Sequence, residues 1–519
     1  MKLGIDFGTC FSFTAACTGH NGLPISLVGS DTENIYDPNG GIPTVFYNDA
    51  GKEIMGRKAL GLCAQFTENG VTYIKKDIRD KCPPNKNYTL GGTRYSAKNI
   101  IVKFIQFLIN NAVNEIKYQY PGENPNPENI AVAVPAMSES PYREFMRECA
   151  VEASGLDVEK IDLIDEPVAA ALSFYATRKS ADENLADGSC ILTYDLGGGT
   201  FDTAIVEYNS SKRKKFTVKV QSGDTKTGGT DWDNALLKYI KENHKPNADL
   251  KKLTPNDEFN LLQAVIDAKI LLSSRESITF SRYADDAAVN FRLQELTRQK
   301  FEELTKNLLD KSIMVVHDVI KAYRKKFGNN AKIDAIVLSG GASRMPKIKQ
   351  RLQEEFPGMT IHMERPDRAI AFGAAIYAAD IQNTQMVAPH TYGVDSHIQE
   401  MNNKRMISNI LFKGTPIKDN HDGRYISSRS TYYPIKPDQT GITFEVYESD
   451  EPNGADWIDI GSRKPMFEIT IPIKKVRDIE TERRSFDVEF RLIQGGILEL
   501  HVYDRDQNNK EVFIKKHQL

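Results

Sequence analysis

The chain has 519 residues, of which 40% are hydrophobic and 26% charged, with a formal net charge of −3. Such a length predicts about three or four domain-sized units of ordinary globular composition, and the charge excludes bulk attraction to nucleic acid or to an anionic membrane. No apolar run reaches the roughly 18 residues that span a bilayer, and MKLGIDFGTC lacks the basic start and long apolar stretch of a secretory signal.

A cytoplasmic protein is therefore expected. Cys10, Cys17, Cys63, Cys82, Cys149 and Cys190 show no CxxC pair and no zinc spacing, which predicts reduced, mostly buried thiols.

Taken in chain order, short apolar runs alternate with long helical patterns up to about Asp380. KLGIDF, IAVAVP, CILTYDL and AIVLSG read as strands, and KNIIVKFIQFLINNAVNEI as a helix. TPNDEFNLLQAVIDAKILLSS is a second helix, with Thr254 as N-cap and Pro255 at its first position. LTRQKFEELTKNLLDKSIMVVHDVIKAYRKKF is a third. This alternation predicts an α/β fold whose sheets are covered by helices. After Asn383 the period changes to two. GITFEVY, MFEITIPI, SFDVEFRLI and GILELHVYD predict an antiparallel sheet with one buried face, carrying Phe444 and Val446, Phe467 and Ile469, Phe486 and Val488, Leu498 and Leu500. IQNTQMVAPHTYG lies between the two patterns. The expected organisation is residues 1–382 as one domain, 383–392 as a linker and 393–519 as a β domain.

Within the first part, LTYDLGGGTFDTAIV (Leu192–Val206) reads as a buried hairpin with a glycine tip between Asp195 and Asp202. LGIDFGTCFSFTAAC repeats its order near the N-terminus, with Asp6 as the carboxylate. Two copies predict two similar α/β lobes facing each other. A glycine-rich tip lets backbone N–H groups approach an anion, so a phosphate chain with Mg²⁺ would account for both the glycines and the acids. The alternative is two tight hairpins whose acids only cap turns. LSGGASRMPKI offers glycines before a helix start, and SGDTKTGGTDWD offers Gly228 and Gly229 in a turn before a helix. Lys269 and Ser273, four apart, share a helix face that would otherwise be a solvated surface.

Together these segments resemble the seventy-kilodalton heat-shock chaperones, within the actin and sugar-kinase ATPase superfamily. GIDFGTCFS is similar to the family's first phosphate loop and YDLGGGTFD to its second; IDLIDEPVAAALSFY resembles the connecting motif. IVLSGGASRMPKI with RPDRAIAFGAAIYAA resembles the adenosine motif, all in family order over residues 1–380. ILFKGTPI and GGILELHVYDRD give a looser match to the peptide-binding sandwich. The resemblance implies a two-lobed actin-like α/β ATPase domain with duplicated ribonuclease-H-like lobes, followed by an all-β sandwich domain.

It also implies roles. Asp6 and Asp195 would hold the water shell of Mg²⁺, with K⁺ a further candidate ion. Gly8, Thr9, Cys10 and Phe11 would line the first phosphate loop, and Gly198, Gly199, Gly228 and Gly229 would cradle phosphates. Lys75, with Lys76 beside it, would approach the γ-phosphate, as would Thr200. Glu166 and Asp202 would orient the attacking water, the lesser alternative for Glu166 being a plain helix-start acid before Pro167. Lys269, Ser273, Gly340, Gly341, Ala342, Ser343 and Arg344 would surround the nucleoside of ATP or ADP, with Asp367 at the adenine end. Pro135 and Arg143 match a pair that relays nucleotide state.

The sequence departs from the family at Cys10, where a threonine is usual, at Ile266 for a ribose-binding glutamate, and at Ala342 for a serine. The linker offers only Met386 and Val387, and with Leu519 following the β region a chaperone without the helical lid is expected, releasing peptides fast. The expected activity is ATP hydrolysis coupled to binding of unfolded or partly folded polypeptides, with a J-domain co-chaperone and an exchange factor as partners, and neither nucleic acid nor membrane. The rival readings are an ATP-switched scaffold for one dedicated partner and a nucleotide-binding protein with little turnover.

Overall fold

The computed structural model describes residues 1–519 except 19–24, 28–30, 32, 38–39, 81, 83, 181–185, 244–249, 251–252, 285–288, 364, 381–382, 399–403, 418–425, 435–438, 451–454, 474–484, 494–496, 508–509 and 519. The chain divides into two compact units, one of Met1–Ser138 with Phe145–Thr384, the other of Glu139–Glu144 with Gln385–Leu519.

The first unit holds two larger sheets with one topology. In the first, Ile161–Asp165, Asn129–Val134, Lys2–Asp6, Phe11–Cys17 and Ile25–Ser26 lie in that order. In the second, Thr360–His362, Ala335–Ser339, Ser189–Leu196, Phe201–Tyr208 and Phe216–Asp224 repeat it. In each sheet the central strand pairs in parallel on one side and turns back antiparallel through a hairpin on the other. The duplicated order of the two glycine hairpins is thus a duplication of whole sheets.

The helices start where the sequence places caps. The Thr254 side chain accepts the Asp257 N–H at 3.1 Å while Asp257 reaches back to the Thr254 N–H, and helix Pro255–Ser274 opens on its proline. The LTRQK pattern begins two residues later than its apolar spacing suggests. Leu296 and Thr297 finish strand Val289–Thr297, and the Thr297 hydroxyl then caps Arg298–Phe327 by accepting the Lys300 N–H. Across LSGGASRMPKI a 3₁₀ turn, Gly341–Arg344, is interposed before the helix Pro346–Glu355, because Gly340 turns the chain with φ of 77°.

Helix Ala369–Ala379 packs both on helix Glu166–Ser180 and on strand Lys2–Asp6. The contact is close enough to require glycine. A Cβ on Gly373 would sit 1.7 Å from the Ala169 carbonyl oxygen, and one on Gly4 2.2 Å from the Ala375 nitrogen. These are backbone atoms that no side-chain rotation can clear.

In the second unit, Trp457–Asp459, Lys404–Leu411, Thr391–Ile398, Gly441–Ser449 and Phe467–Pro472 form one antiparallel sheet, and Ile426–Tyr432, Phe486–Ile493, Ile497–Asp504 and Lys510–Gln518 another. Phe444, Val446 and Ile469 from one share a core with Phe486, Val488, Leu498 and Leu500 from the other. Phe467 packs against that core while only partly buried. The opposite face of the second sheet departs from simple solvation. Glu489, Glu499 and His501 are buried on it, with Glu499 meeting His501 Nε2 at 3.0 Å and Lys516 at 2.8 Å. Gly495 and Gly496, part of the family-like GGILELHVYDRD, lie outside the described residues, as do Ile381 and Gln382 at the end of the expected first domain. Beyond them Thr384, Met386, Val387 and Ala388 are buried, and the Ala388 N–H donates to the Thr415 carbonyl at 2.7 Å. Cys17, Cys63, Cys149 and Cys190 are free and buried, and Cys10 is free and partly buried.

Gly373→Ala should destabilise the first unit by about 2–3 kcal/mol, as overpacking against backbone does. Gly122→Ala, whose Cβ would meet nothing within 4 Å, should change stability by less than about 0.5 kcal/mol. Denaturant unfolding of the two variants decides it, and equal midpoints would contradict the close approach.

Candidate functional site: two glycine tips around buried acids

Each hairpin tip follows a buried strand, so its position is fixed by a sheet. The first lies between Asp6 and Phe11, the second between Leu196 and Phe201, where the Gly197 N–H closes on the Thr200 carbonyl at 3.1 Å. The tips touch. A Cβ on Gly198 would lie 2.9 Å from Cys10 Sγ, and one on Gly199 2.6 Å from Thr9 Oγ1. The turn at Gly228 is stitched to the second tip. The Gly229 N–H donates to the Gly197 carbonyl at 2.8 Å and the Thr230 N–H to that of Gly198 at 2.9 Å.

Four carboxylates surround this junction. Asp6 ends its strand, Asp195 and Asp202 face each other in register across the second hairpin, and Glu166 opens helix Glu166–Ser180 directly after strand Ile161–Asp165. Lys75, on helix Ile74–Asp80, pairs with Glu166 at 2.7 Å, and the two residues are only 6% and 4% exposed. Glu166 is thus both the helix-start acid and an ion-pair partner. Two residues before Lys75, Tyr73 holds a left-handed backbone with φ of 57°. Such strain in a non-glycine residue persists only where the surroundings enforce it.

One ammonium cannot balance four acids. Burial, then the Glu166 charge, pushes the Asp6 carboxyl up to about 7, against the pull of Lys75. Burial and Glu166 raise Asp202 to about 8, although its Oδ1 accepts the Ala136 N–H at 2.9 Å. Asp195 is held well above the usual carboxylate range by burial, then Glu166, Asp202 and Asp6. Asp195 Oδ1 and Asp202 Oδ2 are buried without a hydrogen-bond partner.

The residues expected around a nucleoside divide into two sets. Lys269 pairs with Asp233 at 2.7 Å and donates to the Gly229 carbonyl at 3.2 Å, so it belongs to the glycine junction and not to a solvated face. A Cβ on Gly229 would also meet that of Ala342 at 3.0 Å. Gly340 adjoins the acids, since its own Cβ would fall 2.7 Å from Asp195 Oδ1. The hydroxyls of Ser273 and Ser343 are engaged within the protein, with Ser273 donating to the Lys269 carbonyl at 3.2 Å and Ser343 donating to Ser339 while accepting the Leu196 N–H. Arg344 pairs with Asp367 on the rim, the arginine half-exposed. Ile266 lies on the same helix as Lys269, one turn earlier.

The sequence reading missed Asp233, Ala136 and Gln221. Gln221 donates to Asp165 Oδ2 at 2.9 Å and so fixes the residue preceding Glu166. All three contacts join segments far apart in the chain or lie outside any glycine or acid motif. The one local signal was Asp233, standing four residues after Gly229 on one helix face.

The family model described as "Hsp70 protein" matches residues 44–516. The chain belongs to the Hsp70 family. A chaperone protein DnaK of Halobacterium salinarum is 27% identical over 383 residues, covering 72% of this chain and 55% of the relative. That of Deinococcus proteolyticus is 26% identical over 529 aligned positions, covering 96% and 75%, and that of Mycoplasma mobile 29% over 333 residues, covering 62% and 51%. The chain therefore spans little more than half the length of the first and third of these. Membership of the Hsp70 family implies an actin-like ATPase domain followed by a β substrate-binding domain, and the paired α/β sheets and the two antiparallel sheets agree with it. No described helix of this Hsp70 protein is long and apolar enough to cross a membrane.

The raised acids make a pH prediction. A carboxyl whose pKa is higher in the folded state than in the unfolded chain keeps a proton that unfolding releases, so its contribution favours folding at low pH and turns against it as pH rises. Asp162, pushed up to about 6 by burial, acts in the same direction. Without metal or nucleotide, the melting temperature should fall from about pH 5 to about pH 8, the window set by the ordinary carboxyl range and the raised values. Asp202→Asn should flatten that fall and raise the midpoint near pH 8 by about 2–4 °C. Calorimetry across that range tests it, and a midpoint that holds steady or climbs in the wild type would contradict the buried-acid picture.

Proposed function

We propose that the chain is an ATP-hydrolysing, chaperone-like protein in which residues 1–382 bind and hydrolyse ATP, 383–392 link, and the β domain of residues 393–519 binds exposed apolar peptide. The observation that carries the reading is the contact of two glycine tips beside four buried carboxylates and one buried lysine. Such a junction suits a polyphosphate with its cation better than it suits an empty protein interior.

Phosphoryl transfer asks a protein mainly for positioning and charge. Gly8, Thr9 and the backbone of Cys10 and Phe11 take one side of the phosphate chain. Gly198, Gly199, Thr200, Gly228 and Gly229 take the other. Lys75 brings a point charge to the transferring group, and its pairing with Glu166 sets the ammonium in place. Glu166 and Asp202 orient the attacking water, a role supported by the buried Asp202 Oδ2, which has no protein partner. Lys269, Ser273, Gly340–Arg344 and Asp367 surround the nucleoside.

The acids fit Mg²⁺. Asp6 and Asp195 offer hard oxygen donors in a site short of positive charge, and Asp195 Oδ1 lacks a protein partner. Asp6 and Asp195 would hold the ion, through its water shell. When bound, the ion would neutralise charge developing on the phosphates.

The β domain would take an extended segment through backbone hydrogen bonds and an apolar pocket. Unfolded polypeptides, a J-domain co-chaperone and an exchange factor are the partners this reading calls for.

Lys75→Ala should lower single-turnover ATP hydrolysis on the order of a hundredfold, the scale of a lost transition-state charge contact, while ADP still binds. Thr200→Ala should lower it too, and unchanged hydrolysis in both variants would remove the assignment. Peptide affinity is the second measurement. A labelled apolar peptide titrated with ATP, with ADP and without nucleotide should show a difference between ATP and ADP of about tenfold. One affinity in all three states would leave a nucleotide-binding protein without coupled chaperone action.

A further inference from the structure

We propose that Asp233 is the positioning residue that aims the Lys269 ammonium at an oxygen of the bound nucleotide's sugar–phosphate portion. The inference rests on the nucleotide-binding reading above and adds to it a residue to which the sequence analysis gave no role.

Asp233 lies on helix Gly229–Asn243, four residues after Gly229, so its carboxylate and the Gly229 carbonyl share one edge of the helix's first turn. Lys269 comes from the facing helix Pro255–Ser274. Its Nζ meets Asp233 Oδ1 at 2.7 Å and the Gly229 carbonyl at 3.2 Å. Both side chains are largely buried, with Asp233 only 3% exposed.

A lysine ammonium has three N–H donors. The Gly229 carbonyl accepts from one, Asp233 Oδ1 holds the charge as an ion-pair partner without accepting a well-aligned hydrogen bond, and among the described residues no other side chain or carbonyl accepts from the ammonium. A buried ammonium with an unmet donor is costly unless something polar reaches it. The junction it borders is the one already described, because the Gly229 N–H donates to Gly197 of the second tip and a Cβ on Gly229 would stand 3.6 Å from Lys269 Nζ.

Asp233 is the only side chain among the described residues that both neutralises and orients this amine. Lys269's own helix brings no acid one turn away, since Ile266 precedes it by three residues and Ser273 follows by four. Without Asp233 the long, flexible lysine would have only a carbonyl to hold it, and its remaining donors would lose their direction. With Asp233, an ion pair and a carbonyl contact fix where the ammonium stands, and its remaining donor capacity is left for the ligand.

The test is a double-mutant cycle on the full chain, read as ADP affinity by calorimetry in the presence of Mg²⁺. Asp233→Ala should weaken ADP about tenfold and Lys269→Met by a similar factor, while the double variant should be no weaker than Lys269→Met alone, because the two act through one donor. Asp233→Asn keeps an acceptor oxygen for the ammonium and should recover part of the loss. Additive losses, or wild-type affinity in Asp233→Ala, would overturn the assignment. If Asp233→Ala does not fold, wild-type affinity in Asp233→Asn would overturn it equally. A wild type that binds no ADP would instead bring down the nucleotide reading and this inference with it, which separates the two failures.

Discussion

The structure of the first unit turns on one buried ion pair, Lys75 with Glu166, set among three further buried acids. An ion pair taken out of water repays its desolvation only with good geometry and further hydrogen bonds. Here the geometry is tight but the charge is lopsided, because Asp6, Asp195 and Asp202 also face Glu166 or one another. Burial and mutual repulsion push the carboxyls of Asp6, Asp195 and Asp202 above their ordinary range. What remains is a pocket in which any added positive charge is strongly favoured, and that is the property a phosphate-and-cation site needs.

Such a concentration of charge can be held only by a frame that does not relax. Each acid sits on or beside a strand of one of two sheets with the same topology. The strand ends are buried and paired, so the carboxylates cannot swing to solvent. Behind the sheets the glycine contacts of Gly4 and Gly373 bring helix Ala369–Ala379 to within backbone distance of both a strand and the Glu166 helix. The strained Tyr73 backbone is the same kind of device on a smaller scale, fixing the start of the short helix that carries Lys75.

The second unit solves a different problem. Two sheets share one apolar core, which is the ordinary answer for strands with period-two alternation. Its second sheet also buries a polar layer, with His501 between Glu499 and Glu511 and Arg491 reaching both Glu489 and the Tyr503 hydroxyl. Side chains in such a layer satisfy one another across neighbouring strands, so charged residues there belong to the packing of the sheet.

Much of this was determined by the sequence alone. The period change after Asn383, the N-cap at Thr254 and the repeated hairpin from Asp6 to Asp195 are local patterns, and local patterns survive folding because they act through neighbouring backbone. The family membership was legible for the same reason, since its motifs are short runs with fixed spacing. Tertiary structure alone decided which charges meet. Lys75 and Glu166, Lys269 and Asp233, and Asp202 with the Ala136 N–H are each brought together by packing of distant segments, and no spacing in the chain encodes those distances. The same holds for the Ser273 and Ser343 hydroxyls, which read as free ligand contacts in the sequence but are engaged by protein carbonyls once the helix and the 3₁₀ turn form. A sequence names the donors and acceptors; only the folded backbone settles which of them are already satisfied.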